Sequence, residues 1–574
     1  MNRTQQLTRH VQQMARRAAR PPVLLAMVLL VAAILFLLMI PAIQVGTWGD
    51  DATYVTMARS LVQGKGLSLV YLPADPVYPV VPIGYPLTLA PLVFLFPHSF
   101  LPLQLLSSAF LLITVVLVYL WARPRLGDRL AVFVAALFGT NVAIVQSAAQ
   151  VMSEALFLLC VMWAAHQAER FVRSQAVRWH QVLLTAAVIG LPVSVRYLGL
   201  PIVAALMMYI LRRRRDRFAV VAVALGVAIL LIVNLGLGGL EVARYYIETI
   251  SALLSRLNAL VTTAPTNTIA SSESAGTSFL TQLVNNARFL LTNPIPWSVV
   301  PLFHGPRVQT FFARMGLGFI PLSLQLGIDL LLVMGFIRQA RGKSHVSEWI
   351  VLAYAATLFF FPTNWEETPS RFHYWIPLIP FGYIYLIAAL RSVHEFIAEE
   401  MHLPGRLAHP DGLAAVAIAC MLALNLGRDV QESIVNPLRD RVPDLRVGSE
   451  WLKAHSKADD VIMVSTPRAF ALYLDREVVG YPPGGWEITA LYQDLPEWRQ
   501  DANSAEALLA IVDAFGVDYI LISPARVPDE PAHWSRYVKD VLLPAIRSRP
   551  DRFLLVWASD DGFTEVYQVQ QGSQ

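Results

Sequence analysis

Charge is scarce in this chain. Only 15% of its 574 residues are Asp, Glu, Lys or Arg, while 55% are hydrophobic. An ordinary soluble domain carries about 25% charged residues. So few charges cannot cover a soluble globule of this length, but they suit a chain whose solvent is mostly lipid. Cysteine is nearly missing too: Cys160 and Cys420 are the only two. Both sit inside apolar runs and read as buried hydrophobes, which excludes a disulfide framework and a cysteine zinc site. The net charge of +4 is small, and its basic residues lie in short loops between apolar runs. That pattern is membrane topology and not a nucleic-acid surface.

What is present is a series of apolar runs, at about 23–42, 100–121, 129–143, 147–165, 181–195, 198–211, 218–238, 316–337, 349–362, 374–390 and 412–427. They predict a polytopic α-helical membrane protein of about eleven transmembrane helices. Arg16, Arg17 and Arg20 precede the first run, which is longer than the roughly 7–15 residues of a signal-peptide core and reads as an uncleaved span. The loops at 122–130, 166–180, 212–217 and 338–343 join the N-terminus as the basic side. The alternating short loops lack Lys and Arg apart from Arg196 and Arg371. The positive-inside rule then puts the N-terminus in the cytoplasm and the C-terminus outside a cell membrane. The expected domains are a membrane domain over 1–427, with outer loops at about 44–97 and 239–312, and an extracytoplasmic domain over 428–574. The stretch 262–278 in the second loop has the composition of a mobile connector or a lid.

From about residue 445 the pattern alternates. Helical stretches at 447–455, 468–474 and 505–515 interleave with β-branched strands at 461–465, 478–479, 519–522, 553–558 and 564–569. This spacing predicts a small α/β domain. It has no Gly-rich phosphate loop and no nucleophile elbow, so it reads as a recognition or packing domain.

Four places could carry chemistry. Asp50 and Asp51 emerge after the first span and lead into a helix at about 52–63, stopped by Gly64 and Gly66. A carboxylate pair there can act as a general base or hold a divalent cation; alternatively Asp50 is the helix N-cap and Asp51 suits its first turn. Gln146, Gln150 and Glu154, at four-residue spacing, predict one polar stripe on the fourth span, facing a cavity or another helix. Asp329, one turn after Gln325, reads as a structurally paired acid. The loop at 362–374 brings Glu366, Glu367, Arg371, His373 and Tyr374 to the membrane surface, where Arg371 either binds a phosphate or anchors the interface.

The order of these features resembles a known family. One span, an acidic pair, Tyr54, Ala58, Leu61, Gly64 and Gly66, then Gly84-Tyr85-Pro86, looks like the C-type (GT-C) integral-membrane glycosyltransferases. The similar branch is that of the aminoarabinose transferases and protein O-mannosyltransferases. Ser153–Phe157 is similar to that branch's fourth-span segment, and Arg371–Pro380 to its arginine–tyrosine–proline segment. The resemblance implies sugar transfer from a polyprenyl-phosphate donor to a lipid, glycan or protein acceptor on the outer face. It implies Asp50 as the base and Asp51 as its support or a cation ligand, although the related mannosyltransferases place a glutamate as the second acid. Tyr54, Tyr85, Glu154, Arg371, His373 and Tyr374 become the expected substrate-binding residues, with Arg371 at the donor phosphate. No cofactor is required by the pattern; a divalent cation at Asp50 and Asp51 stays open.

Two other classes compete. A transporter or flippase of lipid-linked sugars expects inverted repeats and broken helices with polar groups near the midplane. No repeat is evident, but Asp329 fits that reading. A noncatalytic scaffold would use the C-terminal domain to bind a partner.

Overall fold

The computed structural model describes residues 21–78, 81–232, 319–341, 345–360, 369–402, 411–435, 444–482, 491–524 and 535–570, with a few isolated positions and short pieces between them. The stretch 262–278 and the acids Glu366 and Glu367 lie outside the described residues.

Apolar helices form the bulk of the chain. They are α1 (Pro21–Met39), α2 (Asp50–Val62), α3 (Gly84–Leu95), α4 (Leu101–Leu126), α5 (Asp128–Gly139), α6 (Val142–Ala149) and α7 (Glu154–Arg173). They continue as α8 (Trp179–Val195), α9 (Leu200–Arg213), α10 (Arg217–Ile232), α11 (Phe319–Arg341), α12 (Val346–Phe360), α13 (Ile379–Glu400) and α14 (Gly412–Val430). Among the described residues, five apolar stretches, beginning at Pro21, Leu101, Phe319, His373 and Gly412, are long enough to cross a membrane, and the bent pair α5–α6 makes a sixth when counted as one span. The chain is a multi-pass membrane protein.

Three sequence expectations are corrected here. The third apolar run is broken: α5 and α6 meet at 57°, because Asn141 leaves the helix and its Oδ1 accepts the Ala143 N–H at 3.0 Å, restarting the helix as an N-cap. Gln146 therefore lies on α6, Gln150 is extended, and Glu154 opens α7, so the three form no single stripe. Gln146 instead donates to Glu432 beyond α14. Cys420 is exposed, unlike the buried Cys160, because α14 turns much of its apolar surface outward. Asp329 is buried, yet its carboxylate oxygens accept no hydrogen bond from any described residue; the expected structural pairing is not seen there.

The basic loop ends converge at one end of the bundle. Arg125 at the end of α4 pairs with Glu169 near the end of α7, which also pairs with Arg173. Arg214, after α9, donates to the carbonyls of Phe171 and Ser174. The other end of α4 lies at a seam with the α/β domain.

That domain has helices α15 (Ser449–His455), α16 (Pro467–Leu474), α17 (Pro496–Gln500), α18 (Ala505–Ala514) and α19 (Leu543–Arg547). Its strands are β1 (Val461–Val464), β2 (Glu477–Gly480), β3 (Val517–Ile522), β4 (Phe553–Ala558) and β5 (Glu565–Val569). They form one mixed sheet in the order β2-β1-β3-β5-β4. β1 runs parallel to β2 and β3, and β5 runs antiparallel to β3 and β4. Strand alternation splits the core. Ile462, Val464, Tyr519 and Leu521 join the core shared with the membrane domain, whereas Met463, Ile520 and Ile522 join a second cluster with Leu508, Ile511 and Ile546. The domain is thus docked through its own hydrophobic face.

Candidate functional site

The acidic pair sits where the α/β domain meets the membrane domain. The chain leaves α1, turns through Gly46 and Gly49, and starts α2 at Asp50. Gly49 is the N-cap, with φ +77°, and no side chain caps this helix. Asp50 is therefore the first helical residue and not the cap that its position in the sequence allows.

Neighbouring side chains on a helix point about 100° apart, and the two acids have different surroundings. Asp51 is 1% exposed. Its Oδ2 accepts the Gly46 N–H at 2.6 Å and its Oδ1 accepts the Ala52 N–H at 2.8 Å. Burial pushes its carboxyl up to about 6, the amides of Gly46 and Ala52 pull it back, and the charge of Asp50 adds to the rise. Asp51 thus staples the turn before α2. Asp50 keeps 49% of its side chain exposed and lies 3.7 Å from Arg468 Nη1 of α16. Both Asp51 oxygens accept backbone amides, which fixes its carboxylate against the turn before α2. Among the described residues no group of three or more His, Cys, Asp or Glu side chains is placed to hold a metal ion.

One helical turn along α2 from Asp50, Tyr54 begins a buried polar chain. Its hydroxyl shares a hydrogen bond with Ser153 Oγ at 2.9 Å, and its ring packs edge-on against Tyr85 of α3 with centroids 4.9 Å apart. Burial raises the Tyr54 phenol far above its usual range, so it stays a neutral hydroxyl. Ser153 also accepts from Arg196 Nη1 at 3.2 Å. Arg196 forms an ion pair with Glu154, whose carboxylate occupies the first turn of α7, where the helix dipole favours an anion. The guanidinium lies over the Tyr374 ring at 5.1 Å. His373 Nε2 stands 3.6 Å from Glu154 Oε1, and the His373 and Tyr374 rings are 4.4 Å apart.

The fold thus gathers Asp50, Tyr54, Tyr85, Glu154, His373 and Tyr374 from four separate segments. Arg371 belongs to the 3-10 helix Pro369–Leu378 that carries His373; its side chain lies outside the described residues. Two residues join that the sequence reading did not assign to the site. Arg196 carried a signal, as one of two basic residues in loops otherwise free of them. Arg468 carried none, since nothing local links it to α2. A separate cavity of about 850 Å³ opens at the same seam, lined by Arg59, Gln104, Arg439, Arg446, Lys453 and Tyr473 among others. Asp50 and Arg196 do not border it.

Known proteins match this architecture. The family model of dolichyl-phosphate-mannose-protein mannosyltransferase matches residues 80–236. No curated protein sequence matches the chain. Among solved structures, the chain is similar to ArnT from Cupriavidus metallidurans bound to undecaprenyl phosphate, at 15% identity and a TM-score of 0.52, covering 95% of this chain and 97% of that one. It is similar to the oligosaccharyltransferase AglB from Archaeoglobus fulgidus in complex with an inhibitory peptide and a dolichol-phosphate, at 13% identity and a TM-score of 0.50, covering 87% of this chain and 69% of that one. An Archaeoglobus fulgidus oligosaccharyltransferase in the apo form gives 13% identity and a TM-score of 0.52, covering 87% of this chain and 69% of that one. Helical membrane domain, docked α/β domain and these neighbours together define the class: the protein has the GT-C fold of integral-membrane glycosyltransferases. Within that fold, residues 80–236 are similar to the protein-mannosyltransferase family model.

Proposed function

We propose that the protein is a glycosyltransferase that moves a sugar from a polyprenyl-phosphate donor to an acceptor hydroxyl on the outer face of a cell membrane. The observation that carries this reading is the division of labour between the two acids. Asp51 is consumed by backbone amides, while Asp50 stands half-exposed beside a buried chain of aromatic and charged groups. A general base must reach the proton it takes, and Asp50 is the acid left accessible. In the reaction the acceptor oxygen bonds to the anomeric carbon and its proton passes to the Asp50 carboxylate. The bond from that carbon to the phosphate oxygen breaks, and polyprenyl phosphate leaves with the electron pair.

Tyr54, Tyr85, His373 and Tyr374 are the proposed aromatic contacts of the sugar. Glu154 and Arg196 hold that wall together through their ion pair. Arg371, two residues before His373, is the proposed phosphate contact, since positive charge near the leaving group stabilises the transition state. No step is routed through a cation.

The membrane domain over 1–427 then carries the chemistry, and residues 428–574 form the extracytoplasmic domain. The clustering of Arg125, Arg173 and Arg214 at the far end of the bundle supports a cytoplasmic N-terminus.

A flippase reading draws on the 57° break between α5 and α6 and on Asp329. The two readings separate in purified, reconstituted protein offered labelled polyprenyl-phosphate sugars, with acceptor-bound and translocated label both measured. Label joined covalently to an acceptor supports the transferase. Translocated label with no covalent product overturns it.

A further inference from the structure

Arg468 comes from the α/β domain, yet its guanidinium lies against the first turn of α2. Besides the 3.7 Å approach to Asp50 Oδ1, its Cζ and Nε stand 3.1 Å from where a Cβ on residue 49 would be. Gly49 therefore serves twice: its φ of +77° suits glycine, and its missing side chain leaves room for the guanidinium.

The helix carrying Arg468 is fixed in place. Tyr473 Oη donates to the Val45 carbonyl at 2.6 Å, and the Val478 N–H donates to the Tyr71 carbonyl at 2.8 Å. Phe470 and Leu472 are buried in the same core as Ala52 and Val55 of α2. Arg468 thus reaches Asp50 from a docked, rigid element. A half-exposed ion pair of this length adds little to stability, on the order of 0–1 kcal/mol. A carboxylate that must meet an acceptor hydroxyl, by contrast, gains from being held in one orientation.

We propose that Arg468 is a positioning residue for Asp50, so that the α/β domain completes the site that the membrane domain begins. This rests on the reading of Asp50 as the base. Arg468 acts through Asp50 and touches neither donor nor acceptor at the reacting atoms. Its loss therefore lowers turnover and leaves donor affinity in place. At 3.7 Å the approach to Asp50 is one of charge, longer than a hydrogen bond, so a lysine retains much of the effect while a neutral side chain does not.

The test uses full-length protein reconstituted in vesicles, with kcat and donor KM measured for wild type, Arg468→Gln, Arg468→Lys and Asp50→Asn, and thermal melting in parallel. Arg468→Gln is expected to lower kcat by about 10- to 100-fold, with KM within twofold of wild type and an unchanged melting temperature. Arg468→Lys is expected to recover most of that loss. Wild-type kcat in Arg468→Gln, a change confined to KM, or a loss that Arg468→Lys does not relieve would overturn the proposal. If Asp50→Asn is inactive while Arg468→Gln is normal, the positioning role alone fails. If Asp50→Asn turns over like wild type, the base assignment itself fails and takes the positioning role with it.

Discussion

The Tyr54 hydroxyl and Ser153 Oγ lie 2.9 Å apart, which ties the helix that begins with Asp50 to the residue preceding Glu154 and α7. Through this contact the acidic turn is joined to the Arg196–Glu154 ion pair. Tyr54→Phe removes the shared hydrogen bond and leaves Ser153 with Arg196. The expected cost is about 1 kcal/mol, seen as a lower melting temperature in detergent; an unchanged melt would show that the contact does not join the two segments.

Glu154 and Arg196 are both buried, at 2% and 10% side-chain exposure. Removing one partner of such a pair leaves an uncompensated charge and costs about 3–5 kcal/mol. Glu154→Ala is therefore expected to be strongly destabilised, and adding Arg196→Met is expected to restore part of the loss. Thermal melting of the two single variants and the double variant measures this directly. Additive losses would contradict the pairing.

Asp51 gives a pH signature. Its carboxyl sits near 6 when folded, above the ordinary 3.8, so the native state holds the proton more tightly than the unfolded chain. The stabilisation is present below about pH 4 and is lost as the pH rises through 6. Wild-type melting temperature should fall relative to that of Asp51→Asn across this window. Parallel melting curves for the two proteins would refute the burial argument.

Gly84 starts α3 against α8. A Cβ there would lie 2.3 Å from the Ser194 carbonyl oxygen, a backbone atom that cannot swing aside. Gly84→Ala is expected to cost at least the 1–3 kcal/mol typical of overpacking and to shift Tyr85 away from Tyr54. Expression level and melting temperature check it, and a wild-type melt would show that the helices have slack.

The α/β domain was legible almost element by element, because its strands are short β-branched runs flanked by turns and its helices carry their own periodicity. Each apolar run of the sequence likewise holds a helix. The α5–α6 break was not legible, since Thr140-Asn141 lies within an apolar stretch and only the capping geometry of Asn141 shows that the helix restarts. The same break undid the stripe of Gln146, Gln150 and Glu154. Within the site, Asp50 and Asp51 could be found as a pair, but their division of roles depends on the Gly46 amide folding back on Asp51. Arg468 was invisible because its approach to Asp50 is created by docking two domains, and no local pattern encodes that contact.

The most direct measurement is sugar transfer from a labelled polyprenyl-phosphate donor by reconstituted wild type, Asp50→Asn and Asp51→Asn, compared at matched folded fraction. With Asp50 as the base, Asp50→Asn loses at least about 100-fold in rate, while Asp51→Asn keeps activity in proportion to its folded fraction. Equal rates for wild type and Asp50→Asn would contradict the central claim.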